Sequence, residues 1–213
     1  MTKVALLDYG VGNLFSVANA LTVAGASVVI TNDPKDIRSA DKVMLPGVGA
    51  IGDAMHHMRL CGVDMTVQEV VRTKPVMAIC VGMQALFDYS TEGGKVPCLG
   101  LVAGSVERFD KTWIQNGQGI KIPHVGWNVV HTDSNHALWQ GCNDEYFYFT
   151  HSYYCKPDVA DVKNQGLITA VSSYGQEFCA SIIKDNIFAT QFHPEKSHRA
   201  GLRLLSNFIN WQI

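Results

Sequence analysis

The sequence predicts a doubly wound, mostly parallel α/β sheet with an antiparallel extension. Three observations carry that expectation. Apolar, strand-length runs alternate with helical stripes through the first half. Glycine-rich turns fall where those strands end, the side on which such sheets hold their ligands. In the second half, strand-like runs follow one another with few helices between them.

Val4–Asp8 reads as the first strand, and Asp8-Tyr-Gly-Val-Gly-Asn13 as a turn. Leu14, Val17, Ala18 and Leu21 form a helical stripe that ends near Gly25. Ser27–Thr31 is β-branched and strand-like, followed by a turn at Asn32-Asp-Pro34. Lys42–Leu45 is a third strand running into Pro46-Gly-Val-Gly49, and Gly52–Leu60 and Asp64–Arg72 read as helices. Pro75 opens a short apolar run, a buried strand, and at Cys80 the character changes, with Met83, Leu86 and Phe87 at helical spacing. Beyond it, Leu99–Val102, Ser105–Phe109, Trp127–His131, Glu145–Tyr154, Ile168–Ser173 and Phe178–Ile183 read as strands, and Asp110–Gly119 as a loop. A turn at Asp185-Asn186 leads to the strand Ile187–Phe192, and Ala200–Trp211 closes the chain as a helix. With no repeat, low-complexity tract or linker, residues 1–213 are expected to form one domain.

Composition narrows the function. An apolar fraction of 47% and a charged fraction of 17% fit a globular protein with a substantial core. A formal charge of −2 leaves no basic footprint for nucleic acid and no pull towards an anionic membrane, and no apolar stretch reaches spanning length. Asp8 breaks the first apolar run, so the N-terminus is read as a strand and not a signal peptide. The six cysteines are scattered, without C-x-x-C pairs or zinc-ligand spacing. A cytoplasmic protein with reduced thiols, no metal and no cofactor is the expectation.

The chemistry centres on Cys80. It stands at a strand-to-helix junction with Ala78 before it and Gly82 after it, the layout of a nucleophile elbow with Cys in place of Ser. The tight turn needs small flanks and aims the sulfur at a helix start, where unpaired N–H groups favour thiolate. On these flanks alone, the ordinary reading of the same cysteine is a small buried hydrophobe. A nucleophile needs a base, and the base an orienting group. Of the eight histidines, His193 ends a strand and is followed by Pro194-Glu195, where alternation along an extended chain would put ring and carboxylate on one side. The bland alternative is a surface His-Pro turn. Val81 and Val48, the latter flanked by glycines, are the candidate oxyanion donors.

Together, Cys80-Val-Gly-Met-Gln84 and His193-Pro-Glu195 resemble the class I glutamine amidotransferases, and Pro46-Gly-Val-Gly49 resembles their oxyanion loop. Asp8-Tyr-Gly-Val-Gly-Asn-Leu14, His124-Val-Gly-Trp-Asn128, Tyr148-Phe-Thr-His-Ser-Tyr153 and Gln191-Phe-His-Pro-Glu-Lys-Ser197 are similar to the glutaminase subunits of imidazole glycerol phosphate synthases. The resemblance spans the chain from first strand to last helix. It implies a flavodoxin-like fold and glutamine hydrolysis through a Cys80 thioester, with His193 as base and acid and Glu195 as its orienter. It also implies glutamine contacts at Gly49, Gln84, Ser152 and Tyr153, and a (β/α)8-barrel cyclase partner met at Asn13, Trp127, Tyr148 and Lys196. Ammonia would pass to that partner, since nothing else in the chain would consume it. A peptide flip within Gly47–Gly49 would be the switch that awakens the glutaminase. The rival readings are a glutaminase serving a pyridoxal phosphate or anthranilate-type synthase, a non-catalytic binding subunit, and a flavodoxin-like cysteine hydrolase or redox sensor. Without the resemblance, Trp127 and Tyr148 read as packed aromatics and Lys196 as a solvated charge.

Overall fold

In the computed structural model, residues 1–115, 117–132, 134–158, 160 and 167–213 are described. β1 (Lys3–Leu7), β2 (Ser27–Thr31), β3 (Lys42–Leu45) and β4 (Val76–Ile79) pair in parallel in the order β2-β1-β3-β4. β15 (Ile187–Thr190) joins β4, also in parallel. β3, β4 and β15 are buried at every residue, which explains their uninterrupted apolar character.

The direction of winding reverses at β1. The chain leaves β1 through α1 (Leu14–Val23) to β2, then crosses back through α2 (Pro34–Ser39) to β3 on the other side of β1. Right-handed crossovers in opposite directions place those helices on opposite faces of the sheet. α1 accordingly packs against α6 (His198–Asn210), whereas α2 packs against α4 (Val63–Val70) and α4 against α3 (Ile51–Leu60). The reversal opens a crevice beyond the carboxyl ends of β1 and β3, where the two glycine turns lie.

The antiparallel extension continues the same sheet. β14 (Gln176–Lys184) pairs with β15, β12 (Tyr153–Pro157) with β14, and β7 (Val102–Arg108) with β12. β5 (Phe87–Ser90) and β6 (Val96–Pro97) complete that edge, while β13 (Ile168–Tyr174) also pairs with β14. A separate antiparallel ribbon, β10 (His124–Val130) with β11 (Glu145–His151), stands over the sheet and is tied to it where the Tyr148 carbonyl accepts from the His193 N–H at 2.9 Å.

Several expectations from the sequence need correction. Asn32-Asp-Pro34 is the start of α2 and not only a turn: Asp33 accepts from the Lys35 N–H at 2.8 Å and Pro34 fills the first turn. The helix after Cys80 is the single turn α5 (Val81–Gln84), and Phe87 begins a strand. Every residue from Cys80 to Phe87 is buried, so apolar spacing there reflects burial on all sides and not one helical face. Glu145–Tyr154 is two strands broken at Ser152, and Leu99–Phe109 carries one strand, β7, where two were expected. The expected loop 110–119 holds a small hairpin, β8 (Ile114–Gln115) and β9 (Gln118–Gly119). No helix among the described residues is long and apolar enough to cross a membrane.

Candidate active site

β4 delivers Cys80 into the crevice. Its backbone sits at φ 55°, ψ −111°, a conformation outside the regions open to most side chains, as an elbow requires. Two glycines make the elbow possible. A Cβ on Gly82 would lie 2.2 Å from the Leu45 carbonyl oxygen, and one on Gly47 would lie 2.4 Å from the Gly82 nitrogen. The bareness of Gly82 therefore serves the end of β3 pressed against it as well as the turn itself.

That close approach brings the Pro46–Gly49 loop beside the sulfur. Val48, Gly49 and Val81 line one cavity with Cys80, and Gly49 holds φ at 85°. Tyr9, from the first glycine turn, donates its hydroxyl to the Pro46 carbonyl at 2.5 Å. Burial, with Cys80 nearby, pushes the Tyr9 pKa upward, so the phenol remains a donor. The Val81 N–H heads the single turn α5 and has no acceptor within it.

His193 follows β15, where the chain enters a 3-10 turn over Pro194–Lys196. Its Nδ1 meets Glu195 Oε1 at 2.7 Å, with both side chains 2% exposed. The pair is brought together by this turn and not by the strand alternation expected of an extended His-Pro-Glu segment. Ser197 Oγ donates to the His193 carbonyl at 2.6 Å and accepts from the Tyr148 N–H at 3.0 Å, fixing the turn to the ribbon. With Nδ1–H donated to the carboxylate, Nε2 is the nitrogen left for chemistry, and it has no partner among the described residues. Burial pulls the His193 pKa down, but the adjoining Cys80 sulfur and the Glu195 carboxylate outweigh it and raise it to about 10.

The cavity measures about 360 Å³ and is lined by Cys80, His193, Val48, Gly49, Val81, Gln84, Ser152, Tyr153 and Lys196. All the residues singled out for nucleophile, base, oxyanion and glutamine contact therefore meet here, with Glu195 immediately behind His193. Gln84 spends its amide nitrogen on the Tyr153 carbonyl and Gln191 Oε1, both at 3.1 Å, so its oxygen is the atom left for a ligand. Gln191 Nε2 lies 3.7 Å from the Cys80 sulfur.

Of the proposed partner-facing residues, only Lys196 is among the described residues lining the cavity. Trp127, 45% exposed, stacks on His198 at 5.1 Å and meets Tyr148 edge-on at 6.0 Å, and Lys196 Nζ lies 5.7 Å from the Tyr148 ring. Asn13 is exposed and caps α1, accepting from the Ser16 N–H at 3.2 Å, a structural duty in its own right.

Glu92 also lines the cavity and is not recognisable from sequence. It sits in a Thr-Glu-Gly-Gly stretch that reads as an ordinary surface turn. One carboxylate oxygen accepts from the Ile51 N–H at 2.9 Å, holding the group at the head of α3. It supplies the pocket with a negative charge suited to a ligand ammonium. His151 and Thr150 are further wall residues, quoted in the sequence reading only within the Tyr148–Tyr153 block and given no role there.

The class-I glutamine amidotransferase model matches residues 5–211. The imidazole glycerol phosphate synthase subunit HisH of Acinetobacter baylyi is 52% identical over all of both chains. That of Pseudomonas syringae is 48% identical over 99% of this chain and 98% of its own. The structure of PurLQS from Thermotoga maritima superposes with a TM-score of 0.71 over 99% of both chains at 16% identity, a likeness of fold. A match over nearly the whole length, joined to relatives at about half identity, means that the chain belongs to the class-I glutamine amidotransferase family, among its HisH members.

Proposed function

We propose that this chain is the glutaminase subunit of an imidazole glycerol phosphate synthase, residues 1–213 acting as one cytoplasmic glutaminase domain. Cys80 Sγ attacks the side-chain amide carbon of glutamine, and His193 Nε2 takes the thiol proton. The developing oxyanion is met by the Val48 and Val81 N–H groups. His193 returns the proton to the amide nitrogen, which departs as ammonia and leaves a glutamyl thioester on Cys80. Water, deprotonated by the same ring, then attacks the thioester; glutamate leaves and the thiol is restored. Glu195 holds the ring in the Nδ1–H tautomer and stabilises its charged form. Gly49, Gln84, Ser152 and Tyr153 hold the substrate, with Glu92 opposite its ammonium.

The observation that carries this reading is the buried His193–Glu195 pair, whose ring lines the cavity that holds the elbow cysteine and keeps Nε2 without a partner among the described residues. Ammonia becomes a nucleophile of little use once protonated in bulk water, so we assign its use to a docked (β/α)8-barrel cyclase. That partner would meet Asn13, Trp127, Tyr148 and Lys196 in a heterodimer. No cofactor or metal takes part in the scheme. The Gly47–Gly49 peptide is the proposed switch, since φ at Gly49 already lies where a side chain is disfavoured.

Glutamate release from glutamine tests the reading directly. Wild-type chain with a cyclase partner should form glutamate and pass nitrogen into product, and Cys80→Ala should abolish both. Glutamine turnover surviving in the alanine variant would overturn it. Equal glutaminase rates with and without the cyclase ligand would remove the switch.

A further inference from the structure

Two histidines beside the triad form an ordered hydrogen-bond chain. His151 Nδ1 lies 2.8 Å from the Tyr153 carbonyl, His124 Nδ1 lies 3.0 Å from His151 Nε2, and Asn128 Nδ2 lies 3.4 Å from His124 Nε2. Direction follows from chemistry. A carbonyl only accepts, so His151 carries its proton on Nδ1. At the other end, Asn128 Oδ1 accepts from the Val129 N–H at 2.9 Å and Nδ2 donates to the Ser173 carbonyl at 2.8 Å. That orientation turns the remaining amide hydrogen towards His124 Nε2, which must accept. His124 then donates through Nδ1, and His151 accepts at Nε2. Only two neutral rings, both Nδ1–H, satisfy every contact. Burial favours the same state, pushing the pKa of His124 down to about 4 and that of His151 to about 3.

The chain ends on a functional wall. The Tyr153 carbonyl that accepts from His151 also accepts from Gln84, and both Tyr153 and Gln84 line the cavity. We infer that His124 and His151 are positioning residues, a neutral, single-tautomer relay that locks the Tyr153 carbonyl and the Gln84 side chain against the substrate. The inference rests on the glutaminase reading of that cavity and assigns to these rings a task beyond packing. Their aromatic contacts are real as well: His124 stacks on Tyr174 at 4.0 Å and on Phe149 at 5.0 Å.

Two substitutions at His124 separate the relay from the stack. His124→Phe keeps a flat ring and removes the donor. His124→Asn keeps a donor near the Nδ1 position and removes the ring. With glutamine as substrate and the cyclase present, the phenylalanine variant should raise KM by about tenfold, the loss expected of one buried hydrogen bond, while kcat stays within about threefold. The asparagine variant should hold KM within about threefold of wild type and melt at a lower temperature. The reverse ordering, phenylalanine harmless and asparagine impaired in KM, would show a packing role and overturn the relay. Imidazole nitrogen NMR of the wild-type chain gives a readout independent of turnover and of either variant folding. Both rings should report Nδ1–H at neutral pH, and an Nε2–H tautomer or an imidazolium at either position overturns the inference. A wild-type chain that hydrolyses no glutamine would sink the glutaminase reading first, and the relay with it, whatever the spectra show.

Discussion

At Glu195 a single buried carboxylate decides what the neighbouring ring can do. It contacts Nδ1 at 2.7 Å from a position 2% exposed, so its charge acts in a poorly screened environment. Glu195→Gln preserves shape and removes the charge. We expect kcat to fall by about two to four orders of magnitude, the range general-base catalysis supplies, with a smaller change in KM. The pH profile of kcat should move as well, since the His193 pKa loses one of the influences that raise it. His124 and His151 make the opposite pH statement about stability. Their folded-state pKa values lie below the unfolded one, so the unfolded chain binds more protons between about pH 4 and pH 6.5 for His124 and between about pH 3 and pH 6.5 for His151. Their contribution is complete above the unfolded pKa and is lost as pH falls towards about 4 for His124 and about 3 for His151, with a slope of up to about 1.4 kcal/mol per pH unit for each ring. Urea midpoints across that window should fall on acidification, less steeply in His124→Phe.

The site depends on how closely neighbouring elements are set against each other. β3, the loop after it and the elbow touch at Gly47 and Gly82, where any Cβ would fall within 2.4 Å of backbone. Gly82→Ala should therefore destabilise the chain by about 1–3 kcal/mol or more, visible in thermal melting, and disturb Val48 and Val81 together. Tyr9→Phe is gentler. It frees the Pro46 carbonyl, and we expect a several-fold loss of kcat with little change in melting temperature. Legibility from sequence divides along the same line. The elbow was readable because Cys80 lies between an apolar run and a helical turn with small flanks, and the first three strands because their runs are bounded by turns. What stayed hidden depends on contacts distant in sequence. Glu92 reaches the cavity only because Ile51 holds it, and the His124–His151 pair exists only because β10 and β11 pair in that register. The His193–Glu195 contact was expected for the wrong geometric reason, since a 3-10 turn and not a continuing strand closes it.

Over the whole molecule, the parallel half supplies Cys80, the proposed nucleophile, and the ribbon supplies the exposed aromatic rim. Trp127, Tyr146 and Val125 on that ribbon are 45%, 58% and 56% exposed. Aromatic side chains held out in this way carry a disproportionate share of binding energy when covered. Trp127→Ala should leave melting temperature nearly unchanged and raise the Kd for the cyclase by about thirtyfold. An unchanged Kd would move the proposed interface off the ribbon.

A backbone hydrogen bond between Tyr148 and His193 is one of the ties between those two parts. The His193 N–H is donated at 2.9 Å to the Tyr148 carbonyl on β11, the strand that bears Tyr146 and pairs with the one that bears Trp127. Whatever clamps the ribbon also stiffens the seat of the imidazole, so grip and reactivity share one hinge pin. Deuterium uptake at the His193 amide should slow when the cyclase is added, a local fingerprint of docking that needs no turnover to be seen.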